Sequence, residues 1–316
     1  MPTMKSDSFP DIIGQEKAKR KLEFYRDGYK ATSVIPNLMF IAPKGCGKTL
    51  IAKELGKNLV KRDEPKAKSF VELNCSSLRN VQQFFDGVVM PFVEGKDVTV
   101  LFDEASELPR DLTMALLTIT NPNKDKRTRF TSPEGYEVDF NFRRCSFIFA
   151  TSEPHKVFHA LMDRLERVEL EDYSFDDLGR ILKLNIGDVS FEDGVLDEVA
   201  PTLRGNARAA QKIADNFLMH LKGRDRFTMK DWSEFKHTFN VLPFGLTEGE
   251  LKIMRILQEC KECSLTNLSA KTGLTVEAIR RDAEMYLQRT NMVEIRQRGR
   301  ALTSKGVKYL RRLDGC

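Results

Sequence analysis

The chain has 316 residues, 41% of them hydrophobic and 31% charged, and a net charge of +5. That length exceeds one compact domain, and the apolar content excludes a disordered or fibrous chain, so two or three ordinary domains are expected. Residues 250–316 hold 14 Lys or Arg against 8 Asp or Glu, a net of +6 that leaves the remainder close to neutral. A basic end on a nearly neutral body points to a nucleic-acid-binding module attached to something that does other work.

The first ten residues, MPTMKSDSFP, are polar, and nowhere does an apolar run approach the roughly 18 residues that span a bilayer. A cytoplasmic protein without membrane contact is expected. Of six cysteines only Cys260 and Cys263 form a CxxC pair, and no second pair or nearby histidine completes a zinc site. The pair is expected to be two small residues at a helix end in a reducing compartment.

In chain order, short apolar runs at Val34 to Ile41, Ser69 to Leu73, Val98 to Phe102 and Cys145 to Ala150 read as buried strands, with Arg167 to Leu170 as a fifth. Amphipathic segments separate most of them. This alternation predicts a parallel sheet with helices on both faces and a ligand site at the carboxyl ends of the strands. From Ser174 to about Asn240 only helical patterns occur, with Phe191, Val195, Leu196 and Val199 on one stripe and Ala210, Ile213, Ala214, Phe217 and Leu218 on the next. The segment Val241 to Gly245 interrupts that pattern. Beyond it Leu246 to Gln258, Leu265 to Thr272 and Val276 to Gln288 read as three helices, with Gly273 in a turn. Met292 to Ile295, a basic RQRGR turn and Ala301 to Thr303 follow, an array that resembles a winged helix. No internal repeat of 20 to 50 residues occurs.

The sharpest chemical signal is Ala42-Pro-Lys-Gly-Cys-Gly-Lys-Thr49, between a strand and a helix, the context that a phosphate-binding loop requires. Backbone N–H groups from Gly45 to Thr49 are expected to cradle the phosphates of ATP, with Lys48 on the β and γ oxygens and the Thr49 hydroxyl on Mg2+. The contact segment expected for the nucleotide is Pro43, Lys44, Gly45, Cys46, Gly47, Lys48, Thr49 and Leu50. Fifty residues on, the apolar strand Val98-Thr-Val-Leu-Phe-Asp-Glu104 ends in two carboxylates at the mouth of the sheet. Asp103 is expected to hold the magnesium and Glu104 to activate the attacking water as a general base. Arg296, Arg298 and Arg300 cluster in the expected wing and are candidate contacts to DNA phosphates. The RRDAE run at 280–284, on the expected second helix of a helix-turn-helix, is a further candidate.

Two other signals have ordinary structural explanations. Val81, Phe84, Phe85, Val88 and Val89 fall at helical spacing on one stripe and are expected to be buried, so Phe84-Phe85 does not read as a substrate-gripping aromatic loop. His155 and His159 share a helical face with no third ligand nearby, and are expected to be exposed or packed.

The two nucleotide motifs together resemble those of AAA+ ATPases. In that family the segment Asp11-Ile-Ile-Gly-Gln15 lies beside the adenine, which implies Ile12 and Ile13 against the base. Phe147-Ile-Phe-Ala-Thr-Ser152 is similar to the strand ending in a polar sensor, here Ser152 or Thr151. Leu161-Met-Asp-Arg-Leu165 resembles the segment that presents an arginine finger to the next subunit, which implies Arg164, and Gly205-Asn-Ala-Arg208 resembles the lid arginine that senses the γ-phosphate. Within the family the resemblance narrows to the RuvB branch-migration motors and covers nearly the whole chain. It rests on Asp-Ile-Ile-Gly-Gln, the Ala-Thr-Ser strand end, Asp163-Arg164 followed by Tyr173, RGNARAA at 204–210 and the wing sequence Arg298-Gly-Arg300-Ala-Leu-Thr303. It implies Tyr173 near the nucleotide and Arg298 and Arg300 on DNA.

The implied fold is α/β: an AAA+ P-loop ATPase domain with a parallel sheet at 1–172, a small all-helical lid domain at 173–240 and a C-terminal winged-helix domain at 241–316. The implied activity is that of an ATPase coupled to duplex or branched DNA, working as a homo-oligomer of hexameric type with a junction-binding partner protein. The phosphate loop has Ala42 and Lys44 where the family has Gly and Pro. The insertion 121–141, at the position of the hairpin that docks on the partner in RuvB proteins, is rich in charge, with 8 Lys, Arg, Asp or Glu among its 21 residues. An ATP-switched initiator, clamp or helicase loader that does not translocate remains the alternative.

Overall fold

The computed structural model describes residues 9–61, 68–121, 127–131 and 137–315, with the backbone alone at 127–131, 137 and 138. The chain forms two compact units, Met1–Phe227 and Thr228–Cys316.

In the first unit five strands, β1 (Leu38–Ile41), β2 (Ser69–Asn74), β3 (Val98–Asp103), β6 (Cys145–Thr151) and β7 (Glu166–Glu169), form one sheet in the order β2-β3-β6-β1-β7. Every neighbouring pair is parallel. The central strands are covered on both faces, which is why they read as continuous apolar runs: β6 is buried along its whole length. One face packs Phe84, Phe85, Phe102, Phe147 and Phe149, and the other packs Leu22, Phe40, Leu55, Leu101 and Ile148. Helices α1 (Glu16–Thr32) and α2 (Lys48–Asn58) precede and follow β1. The apolar stripe at 81–89 is buried as expected, but only Val81–Phe84 (α3) is α-helical, and Phe85–Val93 continues as a π-helix containing Pro91. Helix α4 (Arg110–Ile119) leads into the insertion, an antiparallel hairpin of β4 (Arg127–Thr131) and β5 (Glu137–Asn141), and α5 (His159–Met162) precedes β7. The hairpin tip, 132–136, lies outside the described residues.

Three helices follow the sheet: α6 (Phe175–Ile186), α7 (Val195–Val199) and α8 (Ala207–Leu221). Ser174 caps α6 by accepting from Asp177 N–H, and Asn206 caps α8 by accepting from Arg208 and Ala209 N–H. Ala210, Ala214 and Phe217 are buried on α8 as the stripe predicts, whereas Leu218 is exposed. The sequence also misses a parallel pair of two-residue strands, β8 (Ser190–Phe191) and β9 (Arg226–Phe227), too short to leave a period-two signal.

The second unit begins with α9 (Met229–Phe239), a helix that the sequence-based division groups with residues 173–240. Capping boxes start α9 (Thr228 with Asp231) and α10 (Glu248–Cys260; Thr247 with Glu250). Helix α11 (Leu265–Thr272) ends at Gly273, and α12 (Val276–Ala278) runs through a π segment, Ile279–Glu284, into α13 (Met285–Arg289). Strands β10 (Val293–Arg296) and β11 (Gly299–Leu302) form the antiparallel wing, and α14 (Ser304–Leu313) closes the unit. Their shared core contains Met254, Leu257, Ile279, Leu287, Met292 and Leu310. Among the described residues no helix is long and apolar enough to cross a membrane.

Candidate nucleotide site and nucleic-acid interface

The carboxyl ends of β1, β3 and β6 open onto one cleft of about 560 Å3. Its walls include Ile13, Lys44, Gly45, Gly47, Lys48, Thr49, Leu50, Asp103, Glu104, Thr151, Ser152, Tyr173 and Arg208. The loop after β1 turns through left-handed backbone at Gly45 (φ 84) and Gly47 (φ 82) before α2 begins, so its N–H groups gather at a helix amino terminus. At Gly45 a side chain is excluded on a second ground, since a Cβ there would lie 2.0 Å from Asn206 Oδ1. Gly45 O also accepts from Ala207 N–H at 3.0 Å, which ties the loop to the start of α8, where Arg208 sits.

Lys48 Nζ donates to Ala42 O at 2.9 Å and to Pro43 O at 3.0 Å. Burial pushes its pKa below the ordinary lysine value against the opposing pull of Cys46 and Asp103. Thr49 Oγ1 donates to Asp103 Oδ2 at 2.8 Å, and Asp103 Oδ1 accepts from Glu104 N–H at 2.9 Å. Glu104 itself takes left-handed backbone (φ 56, ψ 47), uncommon for a residue with a side chain, and is exposed at the cleft. Thr151 is buried and accepts from Glu153 N–H through its hydroxyl at 3.0 Å, while the next residue, Ser152, is half-buried at the rim. Tyr173 Oη donates to Cys46 O at 3.3 Å, and burial, reinforced by Cys46, pushes its pKa up to about 12.

Several expected contacts lie elsewhere. Ile13 lines the cleft, but Ile12 is 2% exposed and packs in the core with Phe40 and Leu55. Pro43 is exposed and Cys46 is buried in that same core; neither forms the cleft wall. Arg164, expected as a finger for the next subunit and not for the cleft of its own chain, lies outside that cleft. It borders a separate cavity of about 240 Å3 with Asn37, Ile119 and Phe147, donates from Nη1 to Ala160 O at 2.5 Å, and keeps Nε buried without a partner among the described residues. Asp11, from the segment expected beside the adenine, lines the cleft as well, and Ile181, Leu184, Asn185 and Gln211 do so without having been singled out. The stripe on 175–186 is a usable signal for Ile181; Leu184, off that stripe and exposed, and the polar Asn185 and Gln211 have none.

In the wing the three arginines differ. Arg298 is exposed and, among the described residues, only its backbone N–H is engaged, by Glu262 Oε1 at 2.8 Å. Arg296 is paired with Glu294 at 2.8 Å through Nε. Arg300 makes a two-pronged contact with Glu284, Nε to Oε2 and Nη2 to Oε1, each 3.1 Å, with the side chains 18% and 7% exposed. The sequence expects Arg300 on DNA, but its guanidinium is spent inside the unit, holding the wing to the helical segment that ends in Glu284. Arg280 and Arg281 are exposed, whereas Glu284 of the RRDAE run is buried. His155 and His159 are both exposed, the latter beside Asp163 at 3.0 Å.

Residues 38–173 match the ATPase family associated with various cellular activities (AAA), and residues 243–311 match the RuvB C-terminal winged helix domain. The chain thus combines an AAA-type domain, built on a parallel sheet with a phosphate loop and an Asp-Glu strand end, with a RuvB-type winged-helix domain. Its particular likeness is to RuvB. The Holliday junction branch migration complex subunit RuvB of Kosmotoga olearia is 23% identical over 98% of this chain and 90% of its own length, and that of Thermotoga maritima is 23% identical over 98% and 92%. The solved Thermotoga maritima RuvB Holliday junction branch migration motor shares the fold, with a TM-score of 0.73 at 22% identity over 97% of each chain.

Proposed function

We propose that this chain is a RuvB-type motor that hydrolyses ATP at interfaces between copies of itself to translocate or branch-migrate duplex DNA. The observation that carries the reading is the Thr49–Asp103 contact, flanked by Lys48, Glu104, Ser152 and Arg208, in a chain that also carries a RuvB-type winged helix. A hydroxyl and a carboxylate side by side at a helix amino terminus suit a hard divalent cation bridging phosphates. Thr49 and Asp103 are the residues that would hold Mg2+, and the ion would neutralise charge developing on the transferred phosphoryl group. Lys48 binds the phosphate oxygens, Glu104 takes the proton of the attacking water, Ser152 orients that water and Arg208 reports the γ-phosphate to the lid. Ile13 and Tyr173 flank the base and sugar.

The resemblance to RuvB assigns Arg164 as a finger for a second copy in a homo-oligomer of hexameric type, and its place outside the cleft of its own chain agrees with that role. Arg298 is the wing arginine available to DNA phosphates, and a junction-binding partner protein loads the motor. The three-domain division at 172/173 and 240/241 belongs to this reading.

A synthetic four-way junction tests it. ATP-dependent dissociation into duplex arms, with a junction-binding partner supplied and abolished in Glu104→Gln while ATP is still bound, is the expected result. Nucleotide-dependent assembly on the junction with no strand movement would replace the motor by an ATP-switched loader.

A further inference from the structure

The CxxC pair lies where α10 ends. Cys260 is its last residue and half-buried, and Cys263, three residues on, is 4% exposed. Lys261 between them takes φ 61 and ψ −45, which turns the chain sharply and sets the two cysteines on one tight turn. Lys271, from the last turn of α11, donates from Nζ to Cys260 Sγ at 3.1 Å, and that sulfur raises the pKa of its ammonium. Burial, followed by the neighbouring Cys260, raises the pKa of the Cys263 thiol. Both cysteines are free thiols. Among the described residues neither belongs to a group of three or more side chains placed to hold a metal ion.

The same turn is bonded to the wing. Cys263 N–H donates to Arg300 O at 2.9 Å and Arg300 N–H to Cys263 O at 2.8 Å, an isolated antiparallel bridge. Glu262 Oε1 accepts from Arg298 N–H. Gly299 approaches so closely that a Cβ would stand 2.3 Å from Cys263 O. Any change of torsion between residues 260 and 263 is therefore felt by the wing turn that carries Arg298 and the strand that carries Arg300.

We propose that Cys260 and Cys263 form a reversible dithiol–disulfide site for low-molecular-weight disulfides of the glutathione type, with Cys260 attacking and Cys263 resolving. The Cys260 thiol, its proton lost to solvent, attacks one sulfur of the small disulfide. That S–S bond breaks, a mixed disulfide forms on Cys260, and the first small thiolate leaves and takes up a proton. Cys263 then gives its proton to solvent and attacks Cys260 Sγ, forming the protein disulfide and expelling the second small thiolate, which is protonated in turn. The protein loses two electrons and two protons, and one small disulfide becomes two thiols. The order follows from position: the half-buried sulfur with an ammonium beside its developing charge meets the reagent, and the buried one meets only its neighbour. Formation of the bond resets the 260–263 turn and lowers the affinity of the wing for duplex DNA.

The test uses the full chain. Trypsin cuts after Lys261 and so separates peptides 256–261 and 262–271 of the reduced protein. After oxidised glutathione and alkylation of remaining thiols, the expected digest contains these two peptides joined by a disulfide and released by dithiothreitol. Cys263→Ser should stop at glutathione on Cys260, and Cys260→Ser should leave Cys263 unmodified. Lys271→Gln should slow the first step by about tenfold, the loss of one charge-assisted contact. Separate, alkylated peptides from the wild-type chain, or glutathione on Cys263 in Cys260→Ser, would overturn the site. Duplex affinity of the oxidised chain should fall several-fold, and unchanged affinity would overturn the coupling to the wing. Only that last measurement rests on the proposed function, so reduced protein that fails to bind DNA counts against the motor and not against the thiol chemistry.

Discussion

Arg298 and Arg300 stand two residues apart in the wing and do different jobs. Arg298 is exposed, so Arg298→Ala should lower the slope of log affinity for duplex against log salt by about 0.9, the share of one neutralised phosphate. Arg300 balances a buried carboxylate, and Arg300→Ala should cost about 3 kcal/mol of stability in urea unfolding by leaving Glu284 without its cation. A stability unchanged in Arg300→Ala would show that the contact with Glu284 contributes nothing. At the cleft, Thr49→Val keeps the shape and removes the hydroxyl that touches Asp103. It should raise the magnesium concentration needed for ATP binding by about tenfold or more, the usual weight of a hydrogen bond to a charged group, as read by titration with a fluorescent nucleotide.

At the level of elements, the sheet is held at the entry to β2 and β3 by a buried ion pair. Lys68, with its side chain 3% exposed, reaches Asp97 Oδ1 at 3.2 Å, Ser146 Oγ at 2.9 Å and Arg144 O at 2.9 Å, and lies 4.9 Å from the centre of the Tyr29 ring. Burial lowers the pKa of Lys68, opposed by Asp97. For Asp97 burial acts upward, but hydrogen bonds from Lys61 and the charge of Lys68 outweigh it and hold the carboxyl below its ordinary value. Its contribution to stability is therefore present above the ordinary carboxylate pKa and is lost as pH falls through the lowered folded value. Asp97→Ala should cost about 3 kcal/mol at neutral pH, because Lys68 is left buried without a counter-charge, and should flatten the acid limb of a plot of unfolding midpoint against pH. An unaltered acid limb would assign the acid sensitivity to other carboxylates.

For the whole molecule the question is whether one chain is a complete enzyme. The cleft holds Lys48, Thr49, Asp103, Glu104 and Arg208 but not Arg164, which lies by a separate cavity. Mixing Arg164→Ala protein with Glu104→Gln protein should then restore part of the ATPase activity, since some interfaces combine an intact finger with an intact base. A finger of this kind contributes about 10³-fold or more in related phosphoryl-transfer enzymes, enough for hybrid interfaces to stand out over either parent. Mixtures as inactive as both parents would confine the site to a single chain.

Whatever depends on neighbouring residues is legible in this sequence. Apolar runs mark the central strands β1, β3 and β6 because both of their faces are covered, Gly45 to Thr49 specifies its own turn, Asp103-Glu104 ends a strand whose direction sets where it points, and the spacing from Leu265 to Thr303 lays out a winged helix. What the tertiary structure decided is which side chains reach the same place. Ile12 and Ile13 are equivalent by composition, yet one enters the core and the other the cleft, because successive residues face opposite sides of a segment packed on the sheet. Gln211 and Asn185 reach the cleft only because α6 and α8 fold back over the phosphate loop. Arg300 reads as a phosphate contact until Glu284, 16 residues earlier, is brought within 3.1 Å of it. Periodicity carries the burial of an element's face, but a charge meets its partner through contacts between distant segments, and those exist only once the chain has folded.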